Sequence, residues 1–315
     1  MNRIIKKIKF KLIKLKIKIN DLLNKNKYKI SIAIVSCDKW KNKVLEDLML
    51  KYYFNKKGIK AEIISYEKCN NLKKYNAVII RSIWGFDKNK FNEFLRQVKN
   101  ENVLIFNNIE TIKANYDKYD QYKLLDKYEI KHIPTHFLEF DKDFKESVKK
   151  IWEEKFSKYT NLVIKPSISE SGNNTFCISD INDLDKCNFN TLNKSKLMIQ
   201  PFIKEIKNGE ISTILINHEY SHSVIRHPGV FDNNHNITYI ENVDKKLLDI
   251  VKKIDSLDEF KDYLYLRIDF IKVKDEYLVL EIEMIDPMLF INFIDKKDRK
   301  KYYDLIVDEF MKKVH

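Results

Sequence analysis

Short apolar runs alternate with helical stretches from about residue 29 onward, and this alternation constrains the fold more than any other feature. The segments 44–54 and 91–98 carry apolar residues at helical spacing, and Gly58 follows the first of them. Strands separated by helices form a mostly parallel sheet with helices on its faces. We therefore predict a small α/β domain over residues 29–112, with strands at 30–35, 61–65, 77–80 and 103–106.

Two further lobes, each a mixture of helices and strands, are predicted after this domain. The first lobe, residues 113–201, has predicted helices at 115–128 and 144–156, and strands near 136–140, 161–165, 175–179 and 196–200. The second lobe, residues 202–315, has predicted strands near 211–217 and 220–226, a helix at 244–254, a hairpin, and a helix from about Arg299. The fold class is therefore α/β followed by α+β.

The hairpin near the C-terminus places acidic side chains on one face. A three-residue turn at 274–276 would pair Asp269 with Glu281. The same register pairs Arg267 with Glu283 and leaves apolar residues on the opposite face. Like charges opposite one another destabilise a sheet unless a cation lies nearby, and oxygen ligands suit Mg²⁺. These acids are candidate metal ligands, although an ordinary surface hairpin with an exposed ion pair is the alternative.

A loop and two lysines are candidates for phosphate binding. Gly172 is one of only five glycines, and it follows an apolar strand among small and hydroxyl residues whose backbone N–H groups can bind phosphate oxygens. A simple turn is the alternative explanation of this loop. Lys165 ends that strand, where a charge costs stability unless it meets an anion. Lys118 offers a second cation at the start of a helix.

The basic residues are concentrated at the N-terminus. Residues 1–29 contain eleven Lys and Arg against Asp21, which gives +10 of the total net charge of +13 and leaves +3 for the rest of the chain. A nucleic-acid-binding protein is not predicted, because the rest is almost neutral and has no zinc-finger or RNP-like motif. Four scattered cysteines suit a reducing compartment, so a cytoplasmic location is predicted.

Residues 3–24 are predicted to form a basic amphipathic helix, because Ile and Leu recur near helical spacing with lysines between them. Such a helix suits peripheral contact with an anionic membrane surface or with a groove of a partner protein. One alternative is an extension that is frayed or packs on its own domain, and whose lysines only keep it solvated. Another is a strand, because residues 14–19 alternate strictly.

The order of several short blocks resembles the ATP-grasp superfamily. These blocks are Asn115–Lys118, Val163–Pro166, Ser171–Thr175, Gln200–Phe202, Gly209–Glu210, Ser221–Ser223, Arg267–Asp269 and Leu280–Glu283. The chain looks most similar to the branch that contains glutathione-synthetase-like ligases and the O-ureido-serine cyclo-ligase of cycloserine biosynthesis. Arg81–Trp84 resembles an Arg-Ser-x-Trp segment of that branch. Matching blocks extend from about residue 30 to 295.

This resemblance implies an ATP-grasp fold, in which a pre-ATP-grasp α/β domain precedes two lobes that clasp ATP. Lys118 and Lys165 would contact the phosphates. A loop would close over the β- and γ-phosphates through Ser169, Ser171, Gly172, Asn173 and Thr175. The segment between the lobes would bind adenine through the backbone of Gln200, Pro201, Phe202 and Ile203.

The resemblance also implies the remaining roles in the site. Asp269, Glu281 and Glu283 would bind Mg²⁺, with two ions expected and Mn²⁺ as an alternative. Arg226 and Arg267 would be catalytic, because they would neutralise charge on the phosphates and on the transferring phosphoryl group. The candidates for the substrate pocket are Arg81, Ser82 and Trp84, for which a core position of the tryptophan is the alternative.

The activity implied is ATP-dependent ligation of a carboxylate to an amine through an acyl phosphate, with release of ADP and phosphate. The substrates would be amino-acid-like molecules or peptides, and the identity of the acid and the amine stays open because the sequence after Gly229 departs from the relatives. One alternative is phosphoryl transfer on the same fold. The other is a non-catalytic nucleotide-binding protein that the basic helix recruits to a membrane or partner. The oligomeric state also stays open, and a homo-oligomer is one possibility.

Overall fold

The computed structural model describes residues 3–24, 28–169, 174–187, 196–227 and 237–314. Its α-helices are α1 Arg3–Asn24, α2 Leu45–Lys56, α3 Lys88–Asn100, α4 Ile109–Ala114, α5 Lys118–Lys127, α6 Phe144–Lys155, α7 Lys245–Asp255 and α8 Lys296–Val314. Its strands are β1 Ile30–Ser36, β2 Ile59–Ser65, β3 Ala77–Ser82, β4 Leu104–Phe106, β5 His136–Leu138, β6 Leu162–Pro166, β7 Phe176–Ile178, β8 Leu197–Pro201, β9 Glu210–Ile216, β10 Glu219–Arg226, β11 Ile237–Tyr239, β12 Tyr265–Val273 and β13 Glu276–Glu283.

The first sheet is parallel, with strand order β2-β1-β3-β4. Both of its faces are covered, which explains the continuous apolar run in β1. Ile32 and Ile34 pack on the side of α2, whereas Ala33 and Val35 pack on the side of α3. The predicted α/β domain is confirmed in its class, and Gly58 ends α2 with a φ of +82°.

The two remaining sheets are antiparallel. The second has the strand order β5-β8-β6-β7 and is covered by α6 through Val148 and Ile151. The third has the order β11-β10-β9-β12-β13 and packs against α7 through Leu247 and Val251. The α+β character predicted for both lobes is thus confirmed.

The hairpin β12–β13 has the predicted pairs but a different turn. Asp269 lies opposite Glu281, and Arg267 lies opposite Glu283. The predicted three-residue turn is wrong, because Glu276 already belongs to β13 and pairs with Val273. A bulge between Asp269 and the next residue shifts the register by one position and restores the expected pairs.

Two helices pack outside the predicted domain to which the sequence assigns them. The C-terminal helix α8 packs on α2 of the first domain, where the rings of Tyr53 and Tyr303 stack with centroids 4.7 Å apart. Leu125 of α5 lies in the core beneath the third sheet. The three sheets fall within 29–112, 113–201 and 202–315, and these boundaries stay a prediction.

The helix α1 covers the residues predicted for it, so the strand alternative for 14–19 is wrong. Its Ile13 and Ile17 are buried against the first domain in the same core as α2. Within the residues that the structure describes, no helix has the length and apolar character needed to cross a membrane.

Candidate active site

Asp269 lies at the centre of a buried charged cluster on the third sheet. One of its carboxylate oxygens accepts a hydrogen bond of 2.6 Å from Ser212 Oγ on the neighbouring strand β9. The other lies 2.9 Å from Arg226 Nη2 and 3.0 Å from Arg267 Nη2. Burial alone would raise the pKa of Asp269, but the two guanidinium groups hold it below its ordinary value. This side chain is therefore a fixed anion.

Glu281 and Glu283 project beside it from β13. Glu283 Oε1 accepts hydrogen bonds from the backbone N–H groups of Ile285, at 2.8 Å, and Asp286, at 3.3 Å. Burial and the neighbouring charge of Glu281 raise the pKa of Glu283 to about 6. The two carboxylates thus repel one another, which is the condition that a bound cation relieves.

Lys118 connects this sheet to the lobe before it. The residue is buried at the start of α5, where Asp117 caps the helix through the N–H of Tyr119. Lys118 Nζ lies 3.0 Å from Glu281 Oε1 and donates a hydrogen bond of 2.6 Å to Ser169 O. Its backbone N–H donates to Ser167 O. One ammonium group therefore joins a predicted metal ligand to the loop that follows β6.

Lys165 lies on β6, opposite Met198 of β8. Burial and the nearby charge of Lys118 lower the pKa of Lys165 to about 8, although Glu281 and Glu210 oppose this shift. Two ammonium groups close to one another are stabilised by an anion between them. The structure thus brings both predicted phosphate-binding lysines into one region.

Arg226, at the end of β10, is held by a carboxylate that the sequence did not identify as part of the site. Arg226 Nη2 lies 2.7 Å from Oε2 of Glu210, its register partner on β9. Burial raises the pKa of Glu210. Gly209 allows the close approach of these strands, because a Cβ there would lie 2.6 Å from Ile225 Cγ1. The Gly209–Glu210 block was visible in the sequence, but its position beside Arg226 was not.

Polar side chains hold the outer edge of β13, a role that sequence reasoning did not assign to them. Asn115 Nδ2 donates to Ile282 O, and Asn115 Oδ1 accepts from Met284 N, both at 2.8 Å. Gln121 Oε1 accepts from Ile282 N, and the Tyr122 hydroxyl donates to Leu280 O. Backbone hydrogen bonds between Val279 and residues 131–133 lie along the same edge. Together these bonds satisfy polar groups of the edge and fix the strand that carries both glutamates.

The segment between the lobes that is predicted to bind adenine already forms several hydrogen bonds within the protein. Gln200 is buried, and its Nε2 donates to the Tyr122 hydroxyl at 3.0 Å and to Thr135 Oγ1 at 2.8 Å. Pro201 ends β8, and the N–H of Phe202 donates to Asn161 O. Ile203 directly precedes a short 3-10 turn. The contact of this segment with adenine stays a prediction.

The predicted phosphate loop is described only at its two ends. Ser169 Oγ donates to Pro166 O, and the Ser169 carbonyl binds Lys118. Thr175 is exposed. Ser171, Gly172 and Asn173 lie outside the described residues.

The candidate substrate residues of the first domain are engaged at its contact with the third sheet. Arg81 is buried, lies 3.3 Å from Glu46 Oε2, and donates to Pro287 O at 2.9 Å. Ser82 is buried and donates to Asp47. Trp84 Nε1 donates to Asp286 O at 2.9 Å. These contacts explain the three residues structurally, and their role in substrate binding stays a prediction.

The types of residue in this site suit the binding of a nucleotide and a divalent metal ion, although their side chains are not already arranged as metal ligands. Across the described ranges, no three His, Cys, Asp or Glu side chains converge as metal ligands; each predicted ligand bonds to protein groups instead. The predicted ligands are nevertheless oxygen donors only, as Mg²⁺ prefers. Two buried polar atoms here, Ser167 Oγ and Arg226 Nε, have no hydrogen-bond partner among the described residues. Such atoms are ones that a phosphate or water can satisfy.

An α/β domain followed by two α+β lobes, with lysines and carboxylates facing each other between the lobes, defines an ATP-grasp protein. The chain belongs to the family of RimK-like ATP-grasp domains, whose model matches residues 115–293, more than half of its length. The model for the N-terminal domain of D-cycloserine synthetase DcsG matches residues 32–107. As a member of this family the chain is an ATP-dependent ligase. The comparison with curated proteins found no match.

Solved structures with the same fold include three ligases. D-cycloserine synthetase DcsG is 16% identical with a TM-score of 0.76, over 89% of this chain and 99% of that one. D-alanine–D-alanine ligase from Bacillus anthracis, complexed with ATP, is 13% identical with a TM-score of 0.62, over 90% and 98%. A RiPP-associated ATP-grasp ligase from Chryseobacterium gregarium, in complex with ADP and a leader and core peptide, is 14% identical with a TM-score of 0.61, over 89% and 97%. The predicted ATP-grasp fold is confirmed.

Proposed function

We propose that this protein joins a carboxylate to an amine on amino-acid or peptide substrates, using ATP. The observation that carries the proposal is the bridge made by Lys118, which binds both Glu281 and the loop after β6. In the proposed complex the Lys118 ammonium would lie where an ATP phosphate meets the hairpin carboxylates. The structural neighbours named above include a D-alanine–D-alanine ligase and a ligase complexed with a leader and core peptide, which supports this class of substrate.

The chemistry assigned to the site has two steps. A substrate carboxylate oxygen attacks the γ-phosphorus of ATP, the bond to the bridging oxygen of ADP breaks, and an acyl phosphate forms. An amine then attacks the acyl carbon, and inorganic phosphate leaves with the amide formed and a proton released. Lys118 and Lys165 hold the phosphates in position, while Arg226 and Arg267 neutralise charge that develops on the phosphoryl group.

The hairpin carboxylates supply the metal site of this proposal. Asp269, Glu281 and Glu283 would hold two Mg²⁺ ions, and Mn²⁺ should support activity in their place. Bound Mg²⁺ supplies charge neutralisation on the phosphates and keeps them aligned for in-line attack. Ser212 and Arg267 orient Asp269 for this role through the hydrogen bonds that they donate to it.

The test is release of ADP and phosphate from Mg·ATP in the presence of amino acids, dipeptides and small diacids, tried singly and in pairs. We expect an acid to stimulate ADP release in the wild type, and an acid with its amine to give free phosphate and a condensed product. Glu281→Ala is the matched blank, because it removes a predicted metal ligand. Transfer of phosphate onto a stable acceptor, with no free phosphate, would indicate a phosphotransferase instead. Tight ATP binding without release under any pair would contradict the proposal for these substrate classes.

Contact of residues 3–24 with a membrane or partner, and the oligomeric state, stay predictions that this assay does not address. The alternative of a non-catalytic nucleotide-binding protein predicts no turnover at all, so the same assay decides against it if ADP is released.

A further inference from the structure

The helix α1 carries two apolar stripes on different sides. One stripe, which includes Phe10, Ile13 and Ile17, packs against the core beside α2, and Ile13 and Ile17 are only 5% and 6% exposed. The other stripe consists of Ile5, Ile8, Leu12, Leu15, Ile19 and Leu22, which are between 47% and 69% exposed. At 100° per residue the centres of the stripes are about 160° apart. The fold therefore uses one side of α1 and leaves the other apolar side in solvent.

Most of the exposed large apolar side chains of the described residues lie on α1. Eleven large hydrophobic residues are exposed in the described ranges, and seven of them lie on α1, Leu23 included. Single exposed apolar residues are ordinary, but a continuous row of them marks an interaction surface.

Lysines border the stripe on both sides. Lys9 and Lys16 lie on one flank and Lys11 and Lys18 on the other, each pair about 80° from the centre of the stripe on a helical projection. All four are exposed. None of them forms an ion pair with any residue that the structure describes, so their charge is available to a partner.

This pattern argues against a second copy of the chain as the occupant. The exposed stripe has the three-four spacing of a coiled-coil seam, and the flanking lysines then take the positions beside that seam. Two such helices would place lysine against lysine in either orientation, which is unfavourable. A nucleic acid would bind the lysines through its phosphates, but its backbone offers no apolar surface that would bury the exposed stripe. An anionic lipid surface matches both features at once, because it offers phosphates above an apolar interior.

We propose that α1 lies in the interface of a bilayer that contains anionic lipids. The stripe from Ile5 to Leu22 enters the boundary between headgroups and acyl chains, and the flanking lysines bind lipid phosphates. Ile13 and Ile17 stay packed against the first domain, so the helix holds the folded ligase at the membrane. The proposal is independent of the catalytic one, since α1 contains none of the site residues.

The experiment is co-sedimentation of the full chain with vesicles of phosphatidylcholine, with and without phosphatidylglycerol. We expect binding to the anionic vesicles alone and a decrease in binding as salt is added. Changing Lys9, Lys11, Lys16 and Lys18 to Gln should weaken binding about fivefold per lysine. The matched control changes four exposed lysines of α7, Lys245, Lys246, Lys252 and Lys253, to Gln and should bind as the wild type does.

A second variant tests the apolar stripe itself. Leu12→Gln with Leu15→Gln and Ile19→Gln should abolish vesicle binding while ADP release and thermal unfolding stay unchanged, because these side chains are about half exposed and are not among those packed against the core beside α2. Absence of wild-type binding to either vesicle would overturn the proposal. Equal losses in the α1 and α7 lysine variants would also overturn it, since general positive charge would then explain the binding. A wild-type dimer that the stripe variant converts to monomer would assign the stripe to a second copy instead.

Discussion

The charge of Lys165 should make ATP binding depend on pH just above neutrality. Burial beside Lys118 lowers the pKa of Lys165 from 10.5 to about 8 in the free protein. A bound phosphate would favour the protonated ammonium and so raise this pKa again. Binding of ATP then requires uptake of a proton whenever the pH exceeds 8, and affinity should fall as the pH rises through that value.

The size of the effect follows from the two pKa values. If phosphate binding returns Lys165 to 10.5, the Kd for the nucleotide at about pH 9 should be about tenfold higher than at about pH 7. The measurement is calorimetric titration with a non-hydrolysable ATP analogue at constant Mg²⁺. Lys165→Arg is the control, because a guanidinium stays charged over this range and should bind with little pH dependence. Equal Kd values for the wild type at both pH values, or the same slope in the Arg variant, would refute the reasoning.

The same shift has a consequence for stability. Because the pKa of Lys165 is lowered by folding, its charge opposes folding fully below pH 8, and this penalty disappears between pH 8 and 10.5. The shift corresponds to at most about 3 kcal/mol, an upper value because the side chain is partly exposed. Lys165→Met should therefore raise Tm at neutral pH and weaken ATP binding. A variant that lost both stability and binding would show that Lys165 has a structural role instead.

Three substitutions test the parts that support the site. Gly209→Ala should lower the free energy of unfolding by about 1–3 kcal/mol in urea, because its Cβ would lie 2.6 Å from Ile225 at a φ of +106°; unchanged stability would contradict the close approach. Asn115→Ala should cost about 1–3 kcal/mol, seen as a lower Tm, because a C=O and an N–H at the edge of β13 lose their partner. Ser212→Ala should raise the Mg²⁺ concentration for half-maximal turnover on the order of tenfold, since Asp269 loses a charge-assisted hydrogen bond, and Ser212→Thr should restore it. An unchanged Mg²⁺ requirement would argue against Asp269 as a ligand.

Local periodicity accounts for the helices and strands that the sequence could predict, whereas most roles in the site came from the family resemblance. The pattern of apolar residues predicted the α/β and α+β classes and the full extent of α1, but not that the second and third sheets are antiparallel. It also predicted that Asp269 lies opposite Glu281. The pairing is correct although the predicted turn is not, because the actual turn is one residue shorter and the bulge after Asp269 shifts the register back by one residue. A bulge depends on twist and on contacts with β9, which no pattern within the hairpin reveals.

The supporting residues could not be found in this way, because they depend on contacts between distant segments. Asn115 bonds to β13 more than 160 positions away, and Ser212 reaches Asp269 only because β9 pairs with β12 in one register. Glu210 stood in a recognised block, yet its bond to Arg226 needs the register of β9 with β10. The sequence thus predicted the charged groups of the site. The residues that orient them can be identified only from the packing of distant segments.

The charges of the site explain why nucleotide and metal should bind together. Four basic groups, Lys118, Lys165, Arg226 and Arg267, face four carboxylates, Glu210, Asp269, Glu281 and Glu283, and the described ion pairs link members of the two sets. Their sum is zero. ATP alone would add four negative charges and compete with the carboxylates for the same cations, whereas ATP with two Mg²⁺ ions adds none. In the proposed complex the metal ions would replace the basic groups at Asp269 and Glu281, and Lys118 and Arg226 would then be free to bind the phosphates. We therefore expect ATP affinity to fall at least tenfold when Mg²⁺ is removed by chelation, and metal affinity to fall equally when ATP is absent, because linked binding is reciprocal.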